Sequence, residues 1–239
     1  MQSRVDSPRF IFIHIPKTAG QSFARFLANP YANRDRSRVL TVWDKKFGAA
    51  MSPQELAMTP ADRLAEYELI WGHFGFTAIK HFLDSAHGRR FHLMTIIREP
   101  LQRAVSMFNY IAHHEFHPQH KESLRTGLEG FLEQSFKDNH QCRMVSGSTV
   151  AASAIARMQD TFSSYCVLDD IDNYCDRLKQ AFPIFSTSSL DRINSSRQPH
   201  QMVPSRSVVE RFYRMNSEDL ALYNWTVRHW RDPWNKHLA

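Results

Sequence analysis

Cysteine is scarce in this chain of 239 residues, and its three cysteines, Cys142, Cys166 and Cys175, form no CxxC pair. An odd, sparse set argues against a disulfide scaffold and favours a reducing compartment. The eight glycines and eleven prolines are too few for a collagen-like or low-complexity chain. No apolar run approaches the roughly 20 residues of a membrane helix, and the first ten residues lack the apolar core of a secretory signal. We expect a cytoplasmic protein without a membrane span, or one from which a targeting segment was removed.

The composition that remains is that of a folded protein. Hydrophobic residues make up 42% and aromatic residues 12% of the chain, which is ample for a core and excludes general disorder. No internal repeat, linker or composition break divides the sequence, so we predict one domain over residues 1–239. Residues 1–40 hold seven Lys/Arg against two Asp. This local excess favours an anionic partner such as a nucleotide, an acidic sugar or nucleic acid, although a solvated basic surface has the same composition.

Short apolar runs alternate with longer helical patterns along the chain. The runs predict strands at 10–15, 39–42, 68–71, 91–97, 165–168 and 184–186. The helical patterns lie near 20–28, 76–86, 100–113, 127–136, 151–162, 170–181, 205–214 and 217–230. Strands rich in Ile, Val and Phe between helices predict an α/β domain with a mostly parallel central sheet flanked by helices. Ligands of such sheets bind beyond the carboxyl ends of the strands.

The first strand-to-helix turn has the features of an anion site. Residues 10–27 read FIFIHIPKTAGQSFARFL, an apolar strand that Pro16 ends and a helix that begins near Gly20. The N–H groups and dipole of a helix start favour an anion, and Lys17 adds a full positive charge. The GxxxxGK[ST] spacing of nucleotide hydrolases is absent because the lysine precedes the glycine. An ordinary turn with a surface lysine would have the same spacing.

A second turn of this kind follows residues 91–97. There the sequence FHLMTIIREPLQRAVSMFNY (91–110) places Arg98 at a strand end, Pro100 at a favoured first helical position and Ser106 one turn further on. Arg98 offers a planar fork to a phosphate, which Ser106 would meet from the helix. Arg103 is a candidate internal brace. A salt bridge from Arg98 to a neighbouring carboxylate is the alternative.

Taken together, these segments resemble a known family. PKTAGQSF followed by IIREPLQRAVSMFNY is similar to the 5′-phosphosulfate loop and 3′-phosphate motif of sulfotransferases that use PAPS, 3′-phosphoadenosine 5′-phosphosulfate. The closer resemblance is to the carbohydrate branch with the heparan sulfate 2-O- and 6-O-sulfotransferases and their bacterial relatives. WGHFGF (71–76), DNHQCRMVSG (138–147), YCVLDDIDNYCDRLKQAF and RMNSEDLALYNW resemble further elements of that branch in the same order. Asp169 and Asp170 stand where a glycine or glutamate is common in the family.

The resemblance implies a P-loop-like sulfotransferase fold and transfer of a sulfuryl group from PAPS to an acceptor hydroxyl, with a glycan or glycolipid as the expected partner. It implies no metal. Lys17 and His73 are the implied catalytic residues, Lys17 stabilising the leaving phosphate and His73 acting as the base. The implied PAPS contacts are Pro16, Lys17, Thr18, Ala19, Gly20, Gln21, Ser22, Arg98, Ser106 and Arg197, with Arg192 as a looser match. On the acceptor side the implied residues are His73, Asn139, Gln141 and Arg143, the last three as acceptor or structural contacts.

Three other interpretations stay open at this stage. Asp169-Asp170 after an apolar strand imitates the magnesium-binding strand end of nucleotide hydrolases, which favours a kinase. A non-catalytic module for nucleic acid or a polyanion would need exposed aromatics among basic residues, whereas Phe23 and Phe26 fall at core spacing. The segment HHEFHPQH (113–120) suggests zinc, but it lacks paired metal-ligand spacing and Pro118 interrupts a helix. His73 itself is alternatively a buried histidine bonded to backbone. The sequence leaves the acceptor and the oligomeric state open.

Overall fold

The computed structural model describes residues 7–32, 36–43, 49–135, 138–191 and 203–232. Within these residues, six strands form one sheet in the order β3-β2-β4-β1-β5-β6, and every neighbouring pair is parallel. The strands are β1 (Arg9–Ile13), β2 (Val39–Val42), β3 (Ala49–Met51), β4 (Leu69–Gly72), β5 (Phe91–Ile97) and β6 (Ser164–Val167). The predicted class, an α/β domain with a mostly parallel central sheet, is confirmed. Its extent over residues 1–239 stays a prediction.

Helices connect the strands and cover the sheet. They are α1 (Gly20–Ala32), α2 (Pro53–Met58), α3 (Ala61–Leu64), α4 (Phe76–Leu83), α5 (Pro100–His113), α6 (His120–Ser135), α7 (His140–Ser146), α8 (Ala151–Thr161), α9 (Ile171–Ala181), α10 (Arg206–Met215) and α11 (Ser217–His229). None of these described helices combines the length and hydropathy of a membrane crossing.

The main core lies on both faces of the sheet. Strands β2, β4 and β6 are buried along their whole length, and β1 is buried from Phe10 to Ile13. This explains why the strands read as continuous apolar runs without polar alternation. A second cluster joins α5, α6 and α10 through Ala104, Phe108, Ile111, Leu128, Phe131, Leu132, Val208 and Phe212. It holds α5 at the sheet edge where β5 ends.

The predicted strand at 184–186 is wrong. Pro183–Phe185 is a single 3-10 turn, which Pro183 begins. The run is apolar because Phe185 is fully buried and its ring packs against those of Phe10 and Phe26. A short apolar run does not distinguish a strand from another buried segment. The first strand also ends earlier than predicted, at Ile13, so His14 and Ile15 belong to the turn.

Several short elements were missing from the sequence prediction. They are β3, α2, α3 and α7, together with the first part of α6, where Gly127 (φ 64°) introduces a kink. One of them had a sequence signal, because Ser52, Pro53 and Glu55 form a capping box with proline in the first turn of α2. Helix α7 begins after Asn139, whose backbone is left-handed at φ 44°, and ends at Gly147.

Candidate functional site

Three neighbouring strands, β4, β1 and β5, end at the same edge of the sheet and deliver the candidate residues there. His73 follows β4, the turn with Lys17 follows β1, and Arg98 follows β5. A cavity of about 330 Å³ opens between them. Its walls are His14, Pro16, Lys17, Ala19, Gly20, Gln21, Ser22, His73, Arg98, Ser106, Met107, Tyr110, His117 and Leu168. The fold therefore brings most of the predicted donor-side residues to one cavity.

The turn after β1 and the start of α1 form one wall of this cavity. Lys17 (φ 70°) and Ala19 (φ 57°) both have left-handed backbone, which costs energy for residues with a side chain. Thr18 does not line the cavity, because its buried hydroxyl donates to the Ile15 carbonyl (2.8 Å) and holds the turn. The first backbone bond of α1 runs from the Phe23 N–H to the Ala19 carbonyl (3.1 Å). The N–H groups before Phe23 thus belong to the helix start, where an anion binds best.

Two cations converge on the cavity. The Arg98 guanidinium donates from Nη1 to the Lys17 carbonyl (3.0 Å), and Lys17 Nζ lies 4.4 Å from the centroid of the Tyr110 ring. Burial, with a contribution from Arg98, lowers the pKa of Lys17 to about 8. Burial also lowers the pKa of Arg98, and its buried Nε has no hydrogen-bond partner among the described residues. None of the described wall residues is acidic, and the carboxylates of Asp169 and Glu99, outside the wall, offset the effect of burial on the Arg98 pKa only in part.

Two histidine rings form another part of the wall. The ring centroids of His14 and His73 are 4.1 Å apart, and His73 Nδ1 lies 3.0 Å from the His14 carbonyl oxygen. A carbonyl only accepts, so His73 Nδ1 carries a proton and Nε2 is the basic nitrogen of the neutral ring. Burial, and then His73 and Lys17, keep the pKa of His14 well below its usual range. His14 is therefore neutral, and its buried Nδ1 has no partner among the described residues.

A polar clamp behind the cavity holds the backbone of Arg98. The Gln141 side chain accepts from the Arg98 N–H (3.0 Å) and donates to the Arg98 carbonyl (2.8 Å). The Asp219 carboxylate accepts from the Gln141 and Cys142 N–H groups (3.0 and 2.9 Å), and Asn139 Oδ1 accepts from the Asp219 N–H (3.0 Å). Gln141 is fully buried, and neither it nor Asn139 lines the cavity. The geometry thus favours the structural role for both over acceptor contact.

Arg103 and Arg143 lie on either side of this clamp. Arg103 is almost fully buried and faces the negative charge of Asp219, in keeping with an internal brace. Arg143 forms a half-exposed ion pair with Asp138 (2.5 Å) and is not part of the cavity wall. Arg192 and Arg197 lie outside the described residues.

Helix α5 supplies the remaining donor-side wall. Its first turn is capped by the Glu99 carboxylate, which accepts from the Leu101 and Gln102 N–H groups (3.1 and 2.7 Å). Ser106 lines the cavity, and Tyr110, four residues later, shares its helix face; contact of Ser106 with PAPS stays a prediction. Sequence reasoning did not select Tyr110, although this i, i+4 spacing was available. His14 was also missed because it fell inside a run predicted as strand.

The acidic pair after β6 is engaged elsewhere. Asp169 accepts from the Tyr223 hydroxyl (3.0 Å), and Asp170 accepts from Trp230 Nε1 (3.1 Å) and pairs with Arg231 (2.9 Å). These carboxylates fasten the end of α11 to the sheet. Among the described residues, no group of three His, Cys, Asp or Glu side chains is arranged to hold a metal ion.

Most histidines of the segment 113–120 contact the backbone at the end of α5. His113, His114 and His120 each place Nδ1 within 2.6–3.0 Å of a backbone carbonyl oxygen of residues 109–111. These carbonyls lie in the last turns of the helix, and the Ile111 carbonyl also accepts from the His114 N–H (3.2 Å). His117 is different, because its Nδ1 accepts from the Gln119 N–H (3.2 Å) while the residue lines the cavity. Its neutral ring therefore carries the proton on Nε2.

Comparison with known proteins gives similarity at the level of structure only. No family model matches the chain, and no curated protein matches it. A sulfotransferase from Alicyclobacillus acidocaldarius matches with a TM-score of 0.51 and 14% identity, over 97% of this chain and 100% of that one. Mouse sulfotransferase SULT7A1 complexed with PAP matches with a TM-score of 0.45 and 15% identity, over 89% of this chain and 65% of the mouse chain. The first match shows that the two chains share a fold.

Proposed function

We propose that this chain is a sulfotransferase that moves a sulfuryl group from PAPS to a hydroxyl of a carbohydrate acceptor. One observation carries the proposal: Lys17 and Arg98, on the turns after adjacent strands β1 and β5, meet in a cavity whose described walls contain no acidic side chain. A ligand with phosphate groups at two places would bring negative charge to both turns inside the cavity. The fold shared with the Alicyclobacillus sulfotransferase agrees with this proposal.

The two turns fit the two ends of the donor. The left-handed Lys17 turn and the N-terminus of α1 suit the 5′-phosphosulfate, because a helix start and one lysine side chain border the same cavity. Arg98, directly after β5, and Ser106, on α5, suit the 3′-phosphate. The cavity volume of about 330 Å³ lies within the usual range for small-molecule sites.

In the reaction, PAPS provides the sulfuryl group and leaves as adenosine 3′,5′-bisphosphate, PAP. The acceptor oxygen forms a bond to sulfur while the bond from sulfur to the 5′-phosphate oxygen breaks, and the hydroxyl proton passes to His73 Nε2. Lys17 and the N–H groups of the α1 start face the phosphate oxygens on which charge then develops. Losing one such donor typically raises the barrier by about 2.7–4 kcal/mol.

A kinase with its site at the same edge of the sheet is the alternative function. Asp169 accepts from Tyr223, and Asp170 accepts from Trp230 and pairs with Arg231, so magnesium at the end of β6 would have to compete with these contacts. A thermal-shift comparison separates the two functions. We expect PAP to stabilise the protein and ATP with magnesium to do so far less, whereas stabilisation by ATP with magnesium alone would favour the kinase.

Direct proof of the activity needs transfer of the group. We expect labelled PAPS and a panel of glycans to give a product with one added sulfo group by mass spectrometry. PAP stabilisation without transfer to any hydroxyl compound would contradict an enzymatic role. Salt-sensitive RNA binding that PAP does not compete with would instead support the polyanion-binding module.

A further inference from the structure

A second cavity lies beyond the carboxyl ends of β2 and β3. It is at the same edge of the sheet as His73 and the donor cavity. It measures about 420 Å³ and is lined by Trp43, Ala50, Met51, Ser52, Pro53, Gln54 and Glu55. Trp43 is the residue directly after β2, and its side chain is 73% exposed. A single exposed apolar side chain is ordinary in itself, but this indole forms part of a cavity wall, where its flat apolar face is open to a ligand.

The sheet fixes the position of Trp43 relative to His73. Strands β2 and β4 are neighbours, and Val42 pairs with Gly72, so Trp43 and His73 are the next residues along the two strands. The Val42 carbonyl accepts from the His73 N–H (3.2 Å), and a Cβ on Gly72 would lie only 2.1 Å from that carbonyl oxygen. The Trp43 N–H donates in turn to the Met51 carbonyl (3.0 Å). The backbones of both residues are therefore held about one strand spacing apart, roughly 4.8 Å.

The order of the strands places this second cavity on the side of His73 that faces away from the donor site. The proposed donor contacts follow β1 and β5, and His73 follows β4 on the other side of β1. An acceptor whose hydroxyl reaches His73 and whose remainder follows the sheet edge away from the donor runs over the ends of β2 and β3. Trp43 and the start of α2 are the residues that it meets there.

The chemistry of the walls distinguishes between acceptor classes. The cavity combines an indole face with the Gln54 amide, the Ser52 hydroxyl and the Glu55 carboxylate, and no described wall residue is cationic. The capping box makes this wall rigid, and its bonds from Ser52 lower the pKa of Glu55, so that the carboxylate stays charged. A fixed negative charge repels sulfated or carboxylated sugars, whereas neutral sugars offer apolar ring faces to the indole and hydroxyls to the polar groups.

We propose that the Trp43 cavity is an acceptor subsite that binds a neutral saccharide unit by stacking it on the indole. This inference rests on the proposed function for its orientation, but the binding itself needs no donor. It assigns the acceptor class to neutral glycans and separates this chain from enzymes that act on polyanionic chains.

The test compares Trp43→Ala with Trp43→Phe and with Met58→Ala. Met58 is 85% exposed on α2 and lies outside the cavity wall, so its variant controls for the loss of an exposed apolar side chain. Binding of cellopentaose, chitotetraose and mannopentaose is measured by saturation-transfer NMR and titration without donor, with a heparin oligosaccharide as the polyanion. We expect Trp43→Ala to weaken binding of at least one neutral oligosaccharide about tenfold, Trp43→Phe to keep most of it, and Met58→Ala to leave it unchanged.

Each outcome has a distinct meaning. Unchanged binding in Trp43→Ala, preference for the heparin oligosaccharide, or no binding of any neutral oligosaccharide overturns the subsite. PAP affinity, measured in parallel, should differ by less than about twofold between the variants, since Trp43 is not part of the donor cavity. Saccharide binding that depends on Trp43 in a protein that shows no sulfuryl transfer would support the subsite and contradict the proposed function.

Discussion

The ring of His14 occupies the space that a side chain on Gly20 would need. A Cβ built on Gly20 would lie 1.8 Å from Cδ2 and 2.0 Å from Nε2 of His14. Gly20 is the first residue of α1. The imidazole of His14 also packs against His73, and both histidines line the cavity. The glycine is thus required by the histidine that it faces, in addition to any approach of a ligand to the backbone.

Gly20→Ala should therefore damage the donor site. The added methyl forces either His14 or the start of α1 to move, at a cost of about 1–3 kcal/mol for overpacking. We expect a lower unfolding temperature and weaker PAP binding by calorimetry. Gly75→Ala is the control for PAP affinity, because its Cβ would find its nearest neighbour at an ordinary 3.5 Å; since Gly75 is the N-cap of α4, this change costs some stability for a separate reason. Equal PAP affinity in the two variants would contradict the packing argument.

PAP affinity should fall above neutral pH because of Lys17. In the free protein the pKa of Lys17 is about 8, so the ammonium is mostly charged at pH 7 and mostly neutral at pH 9. Binding of an anion requires the charged form, so the dissociation constant should rise about tenfold between these pH values. Isothermal titration at both values checks this. Lys17→Arg keeps its charge, and its affinity should change much less with pH.

The same residue has the opposite effect on the stability of the free protein. The folded-state pKa of about 8 is below the unfolded value near 10.5, so the unfolded chain binds more protons between these values. Stability contributed by this group therefore increases as the pH rises from about 8 to about 10.5. Denaturant unfolding of the wild type and of Lys17→Met should diverge in this window, with the increase missing in the variant. Parallel pH curves would show that the ammonium is not buried as described.

Sequence alone predicted the donor-side turns because local signals agree there. At 10–27 and 91–110, a β-branched and aromatic run, a following proline and a helical pattern all place a strand end and a helix start within a few residues. Parallel strands then bring Lys17 and Arg98 to the same edge without further information. The sequence could not supply the tertiary contacts. His14 is part of the cavity wall only because it packs on Gly20 and His73.

The acceptor-side residues illustrate the same limit. Asn139 and Gln141 were chosen from a motif as acceptor or structural contacts, and only the fold shows Gln141 bonded to Arg98, which is 43 residues away. Gln141 lies on helix α7, which is too short to give a clear helical periodicity and has no capping side chain. The sequence therefore did not predict this helix. The sequence also did not predict a site at Trp43, because Trp43 comes close to His73 only through the pairing of β2 with β4.

Gln141→Leu should weaken PAP binding without contact to the ligand. The change leaves the Arg98 N–H and carbonyl without their side-chain partner, and each unpaired group typically costs about 1–3 kcal/mol. We expect lower stability and a loss of PAP affinity that approaches that of Arg98→Ala. Gln141→Glu keeps the acceptor but not the donor and should be intermediate. A variant that raises only the KM for the acceptor would instead place Gln141 in the acceptor site.

His73→Asn separates a catalytic base from a histidine that is merely held by the backbone. The asparagine amide is able to donate to the His14 carbonyl, as His73 Nδ1 does at 3.0 Å, but it has no basic nitrogen. If His73 is the base, kcat should fall about 10²–10⁴-fold in both His73→Asn and His73→Ala while PAP affinity stays normal. His73→Asn should also unfold closer to the wild type than His73→Ala does. Activity retained in the asparagine variant would assign His73 a purely structural role, and the proton would then have to pass to another group of the cavity.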